Sequence, residues 1–160
     1  MGLDIDSAAA YLKSQEAAGN RIPHEGGVFL SIRDADKQAA LPWLKRLAAH
    51  GLHFYATAGT GALLYGAGIP CAAVFRLSHA GRPNLRDLID ERKIGWIVNI
   101  PDPGDDGRRM RSLAIEFGLP ITTTTAALQM AAEGLDDSAV DAGRVEVCSL
   151  QEYHRMAGQA

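Results

Sequence analysis

From residue 28 to residue 134 the chain alternates short apolar runs with longer stretches that mix apolar and charged positions. The runs 28–32 (Val-Phe-Leu-Ser-Ile), 53–57 (His-Phe-Tyr-Ala-Thr), 71–76, 94–100 and 121–124 have strand length and are rich in β-branched and aromatic residues. Between and after them, 34–50, 58–65, 84–93, 107–117 and 125–134 have helical length, the first with acids at its start, Lys45 and Arg46 near its end and Gly51 as a stop. Pro42 falls inside that first window, so the helix either begins near Leu41 or kinks there. Strands that are each followed by a helix pair in parallel, because a parallel partner is reached only through a crossover. The pattern therefore predicts a three-layer α/β/α sandwich around an open, mainly parallel five-stranded sheet.

Two segments flank this region. Residues 7–19 are alanine-rich and read as a short helix stopped by Gly19-Asn20, with a linker through Gly27. Near the other end, the apolar run 145–150 precedes a helical stretch over 151–156. The chain divides accordingly into an N-terminal helix and linker, 1–25, and a main domain, 26–160. At 160 residues it holds one domain, with or without an appendage, and buries enough surface, about 70% of what the unfolded chain exposes, to need no disulfide or metal.

Charge and cysteine content narrow the function classes. Sixteen basic against nineteen acidic residues leave −3, which excludes a general attraction to nucleic acid or an anionic membrane. Cys71 and Cys148 each stand alone in an apolar segment, a pattern suited to a reducing compartment and not to a metal cluster. Asp4 and Asp6 occupy the place where a signal peptide carries basic residues, and no apolar run approaches about 18 residues. The expected location is the cytoplasm.

In an open parallel sheet, ligands bind beyond the carboxyl ends of the strands. Thr57-Ala58-Gly59-Thr60-Gly61 sits at such an end, where two hydroxyls and the N–H groups of a helix start can converge on an anion. The same residues also suit an ordinary helix N-cap, and this segment alone does not choose. It is not a P-loop, since Ala62 follows the second glycine. Lys37 and Arg76 follow two other strand ends, and together with Thr57 and Thr60 they would surround one oxyanion with charge-assisted hydrogen bonds. Asn99 ends the fourth strand, where its amide can hold a sugar hydroxyl or cap the next loop. His79 and Thr122 to Thr125 carry no spacing that argues for catalysis; strand propensity explains the threonines.

The ordered set 28–37 (Val-Phe-Leu-Ser-Ile-Arg-Asp-Ala-Asp-Lys), 56–60 (Ala-Thr-Ala-Gly-Thr), 79–83 (His-Ala-Gly-Arg-Pro), 97–99 (Ile-Val-Asn) and 121–124 (Ile-Thr-Thr-Thr) resembles the methylglyoxal-synthase-like domain that closes the carbamoyl phosphate synthetase large subunit. Residues 1–4 and 13–23 resemble the end of the family's second ATP-grasp half and the linker after it, and 147–154 its extreme C-terminus, so the resemblance covers nearly the whole chain. It implies a Rossmann-like regulatory domain that binds a nucleotide monophosphate such as UMP or IMP and serves pyrimidine and arginine biosynthesis. Carried over by position, phosphate contacts fall on Lys37, Thr57, Gly59, Thr60 and Arg76, and nucleoside-facing positions on Ser31, Asn99 and Asp106. The family has lysine where this chain has Arg76, and Ile100-Pro101 replaces a hydroxyl pair.

On this reading the domain has no cofactor and no activity of its own. ATP and magnesium would belong to the rest of an ATP-dependent, glutamine-hydrolysing ligase, and the partners would be that remainder, its glutaminase small chain and possible further copies of this chain. Two alternatives stand beside it: a methylglyoxal-synthase-type lyase acting on dihydroxyacetone phosphate, and a non-binding oligomerisation module. The lyase needs a proton-abstracting aspartate in the loop after the third strand, and the matching position here is Arg82, a cation that cannot abstract a proton. Asp102 matches another acid of that enzyme but has no evident task without the base.

Overall fold

The computed structural model describes residues 2–101, 107–136 and 148–157. In chain order the elements are α1 (Ser7–Ala17), β1 (Gly27–Ile32), α2 (Lys37–Ala49), β2 (His53–Thr57), α3 (Ala58–Gly66), β3 (Cys71–Val74), α4 (Leu85–Asp90), β4 (Trp96–Ile100), α5 (Gly107–Glu116), β5 (Ile121–Thr122), α6 (Thr125–Asp136) and α7 (Leu150–Ala157). The five strands form one parallel sheet in the order β3-β2-β1-β4-β5. Strand order reverses at β1, which lies between β2 and β4 with all six of its residues buried, as a strand covered on both faces must be.

Period-two alternation divides the core. Val28, Leu30 and Ile32 of β1, Phe54 and Ala56 of β2, and Trp96, Val98 and Ile100 of β4 pack with α1, α2, α3 and α6 on one face. Phe29 of β1 and Ile97 of β4 point the other way, against α4 and α5 through Leu85, Leu88, Met110 and Ala114. The sandwich predicted from the alternation is thus the fold.

α1 belongs to the first of these layers. Ala8, Ala9 and Leu12 are buried, and α1 lies on α6 at Gly134, where an added Cβ would sit 2.5 Å from Leu12 Cδ1. That close approach explains a glycine inside a helix, where it is otherwise unfavourable by about 1 kcal/mol relative to alanine.

Several boundaries differ from the sequence reading, each for a local reason. α2 starts at Lys37 after a 3-10 turn (Asp34–Asp36) and runs through Pro42 to Ala49. Pro42 is exposed, so the Gln38 carbonyl it deprives of a donor lies on the wet side. β5 stops at Thr122 because the Thr124 hydroxyl accepts from Ala127 N–H (3.1 Å) at the start of α6. β3 ends at Val74, and Phe75 N–H donates instead to the Pro83 carbonyl (2.8 Å), folding the 77–83 loop back. Gly81 in that loop has no side chain because one would overlap the Phe75 ring. Asn84 then opens α4 with a capping box shared with Asp87. The apolar run proposed for 145–150 lies outside the described residues as far as Val147; Leu150 begins α7.

Candidate functional site

The register of the sheet assembles the site. Ser31 pairs with Asn99 across β1 and β4, and Thr57 stands one step beyond the Leu30–Ala56 pair of β1 and β2. Thr57, Ser31 and Asn99 therefore form one row over three adjacent strands, at the carboxyl edge and on the α4–α5 face. All three are buried, Asn99 completely.

Asn99 stands apart within that row, since neither its Oδ1 nor its Nδ2 has a hydrogen-bond partner among the described residues. Leaving a buried amide unpaired costs about 1–3 kcal/mol, and few native side chains are left so. Gly107 opens α5 directly against Asn99: a Cβ there would lie 3.2 Å from Asn99 Nδ2, 2.9 Å from the Pro101 ring and 3.3 Å from Arg111 Nη1. Gly107 is a site residue that the sequence reading missed; its only signal was a glycine opening a helix after a polar loop.

At the other end of the row, Thr57 and Thr60 take different tasks. Thr57 precedes the first turn of α3 with its backbone extended, yet its side chain forms no cap, and Ala58 and Gly59 are exposed. The N-terminal N–H groups of that helix are thus left open to a ligand, with the helix dipole behind them. The Thr57 hydroxyl makes only a 3.5 Å contact with Thr60 Oγ1. Thr60, by contrast, is spent on the scaffold: its Oγ1 accepts from Ile32 N–H (3.0 Å) and donates to the Ile32 carbonyl (3.4 Å), tying α3 to the end of β1.

Lys37 reaches this turn from the first residue of α2. A Cβ on Gly59 would lie 2.9 Å from Lys37 Nζ, so the glycine makes room for the ammonium. Lys37 is meanwhile paired with the exposed Asp34 carboxylate (2.6 Å). The hydrogen bond and charge of Lys37, helped by Arg76, hold the Asp34 carboxyl below its ordinary range. Lys37, Thr57, Gly59 and Thr60 are thus brought together as the sequence suggested, and Arg76 lies within electrostatic reach of the same carboxylate. An oxyanion on the Lys37 ammonium would compete with Asp34 for it.

Other candidates fall elsewhere. Asp106 and Asp102 lie outside the described residues. His79 is exposed in the loop after β3. Arg82, where a lyase would need its base, is bonded to Asp87 (2.8 Å). The Thr122 hydroxyl accepts the buried Trp96 indole N–H (3.1 Å) and serves the core. Among the described residues no group of three histidine, cysteine, aspartate or glutamate side chains is arranged to hold a metal ion. No helix among them is long and apolar enough to cross a membrane.

An open, all-parallel sheet in the order β3-β2-β1-β4-β5 with helices on both faces defines a Rossmann-like α/β sandwich. The chain matches the family model of the MGS-like domain over residues 39–123, more than half its length, and it belongs to that family. It is 38% identical over 159 residues to the carbamoyl phosphate synthase large chain, C-terminal section, of Methanopyrus kandleri, covering 97% of this chain and 29% of that protein. It is 37% identical to the carbamoyl phosphate synthase large chains of Methanothermobacter thermautotrophicus, over 98% of this chain and 15% of that one, and of Brucella suis, over 97% and 13%. The chain thus spans less than a third of the length of these relatives.

Proposed function

We propose that this chain is the effector-binding domain of a cytoplasmic carbamoyl phosphate synthase large chain, and that it binds a nucleotide monophosphate or a related phosphate-bearing ligand at the carboxyl edge of the sheet. The observation that carries the reading is Asn99, fully buried with both amide atoms unbonded among the described residues, in the same row as Thr57 and Ser31. In this assignment the ligand phosphate meets Lys37, Thr57 and the open N–H groups of α3, with Arg76 nearby, while Asn99 and Ser31 face the nucleoside. Thr60 acts by holding the turn in place. The domain needs no cofactor; ATP and magnesium belong to the remainder of the synthase, with which this domain and a glutaminase small chain would assemble.

Control of a distant active site requires only that the effector bind two states of the enzyme unequally, typically by about 1–3 kcal/mol of coupling. The lyase alternative lacks a base at Arg82, and that arginine is already paired with Asp87. Calorimetry against UMP, IMP, ornithine and inorganic phosphate tests the reading. A phosphate-bearing ligand should bind the wild-type chain and lose at least tenfold in affinity in the Lys37→Ala, Thr57→Val double variant. Equal affinity in both proteins would reject the site. Methylglyoxal formed from dihydroxyacetone phosphate and lost on changing His79 or Asp102 would reject the regulatory role.

A further inference from the structure

A cavity whose lining surface is more apolar than polar lies outside the row at the strand ends. It opens between α4 and α5, with a volume of about 420 Å³, and is lined by Leu77, Arg86, Arg108, Arg109, Ser112 and Leu113. That size falls within the roughly 300–1,000 Å³ of small-molecule pockets. Its composition is unusual for a chain of net charge −3, since three of the six lining residues are arginines and none is acidic.

The three arginines differ in their partners. Arg86 is fixed by Asp90 (3.1 Å) and Glu116 (3.7 Å), and its guanidinium lies over the Phe117 ring at 4.8 Å. Arg108 and Arg109 have no carboxylate partner among the described residues. Two guanidinium groups that line one cavity repel, and an oxyanion between them would relieve that repulsion while accepting charge-assisted hydrogen bonds. Leu77 and Leu113 are half-buried against the core beneath α4 and α5 and supply an apolar wall; Ser112 adds a hydroxyl. The groove also borders the polar row: Arg108 follows Gly107, which abuts the unpaired Asn99 amide, and Leu77 follows Arg76.

We infer that the α4–α5 groove is a second oxyanion site, separate from the strand-end site and independent of the effector reading. It takes a small organic anion, whose phosphate or carboxylate group is held by Arg108 and Arg109 and whose apolar body lies against Leu77 and Leu113. Arg108 and Arg109 are exposed, and exposed arginines alone bind anions by diffuse screening; the half-buried Leu77 and Leu113 wall beside them is what would make binding saturable.

The Nε–Hε signals of Arg108 and Arg109 in ¹H–¹⁵N spectra, assigned with Arg108→Lys and Arg109→Lys, report on the groove directly. The probes are phenyl phosphate and sodium benzoate, with sodium chloride at matched ionic strength as the control. Both arginine signals should shift saturably with at least one organic anion. The shifts should persist in the Lys37→Ala, Thr57→Val variant, and affinity should fall at least tenfold in Arg108→Gln, Arg109→Gln. Shifts that never saturate, or that chloride reproduces, would overturn the site. Their disappearance in the Lys37→Ala, Thr57→Val variant would overturn its independence, showing a single site at the strand ends.

Discussion

Replacing Asn99 by valine separates what the residue does for the fold from what it does for a ligand. Its amide is fully buried and neither polar atom is bonded among the described residues, so the native state carries the desolvation penalty of a group that water satisfies in the unfolded chain. That penalty is about 1–3 kcal/mol, and an apolar side chain at the same place does not incur it. Valine also suits the interior of β4, whose neighbours Ile97, Val98 and Ile100 are buried and apolar. It places no atom as far out as Nδ2, so Gly107 is not crowded. The expected net gain is about 1–2 kcal/mol, which for a domain of this size raises Tm by roughly 3–6 °C. Binding should move the opposite way. Loss of two amide hydrogen bonds to a ligand, about 0.5–1.5 kcal/mol each, weakens affinity about 5- to 150-fold. Thermal unfolding of wild type and variant, each with and without UMP, reads both quantities from four melts. A ligand-free Tm that drops instead of rising would mean that the free protein satisfies Asn99. An unchanged UMP-induced shift would remove it from the site.

The two threonines of the turn should behave as a contrasting pair. Thr60→Val orphans the buried Ile32 N–H and should cost about 1–3 kcal/mol in denaturant unfolding, whereas Thr57→Val should cost under about 1 kcal/mol but weaken phosphate-ligand binding; the reverse pattern would overturn the division of roles. Gly59→Ala should displace the flexible Lys37 ammonium and lower affinity about tenfold by calorimetry with little change in Tm. Asp34→Asn, which frees Lys37 from its competing carboxylate, should raise the affinity for inorganic phosphate about fivefold at low salt, and no change would show that Asp34 does not compete. Burial alone would raise the Asp136 carboxyl, but hydrogen bonds from His50 and Arg46 prevail and lower it from 3.8. A lowered carboxyl stabilises the fold above its unfolded pKa and loses that contribution as pH falls through the folded one. The Tm difference between wild type and Asp136→Asn should therefore shrink below about pH 4. A constant difference there would refute the coupling.

The layers of the fold were legible because burial on two faces leaves a mark in the sequence: apolar runs of strand length, each returned by a helix. Boundaries were less so, since they depend on competition between nearby groups. Thr124 has the same β-branched preference as Thr122, yet a hydroxyl within reach of the Ala127 N–H caps a helix instead of extending a strand. Pro42 reads as a break only if its position in the turn is unknown; on the wet side of α2 it removes one bond and the helix continues.

The site shows the same limit more sharply. Lys37, Thr57, Gly59 and Thr60 could be chosen as residue types at strand ends, but their division of labour could not. Which of Thr57 and Thr60 is tied to the scaffold depends on which hydroxyl meets Ile32 N–H, a contact between residues 28 positions apart. Asn99 likewise reads as a loop cap until the register sets it beside Ser31 and the helix start at Gly107 closes over it. A row assembled from three strands exists only once the sheet has formed. The most informative residue is then the one whose side chain the fold buries and leaves unsatisfied, because an intramolecular packing requirement would have selected an apolar residue there.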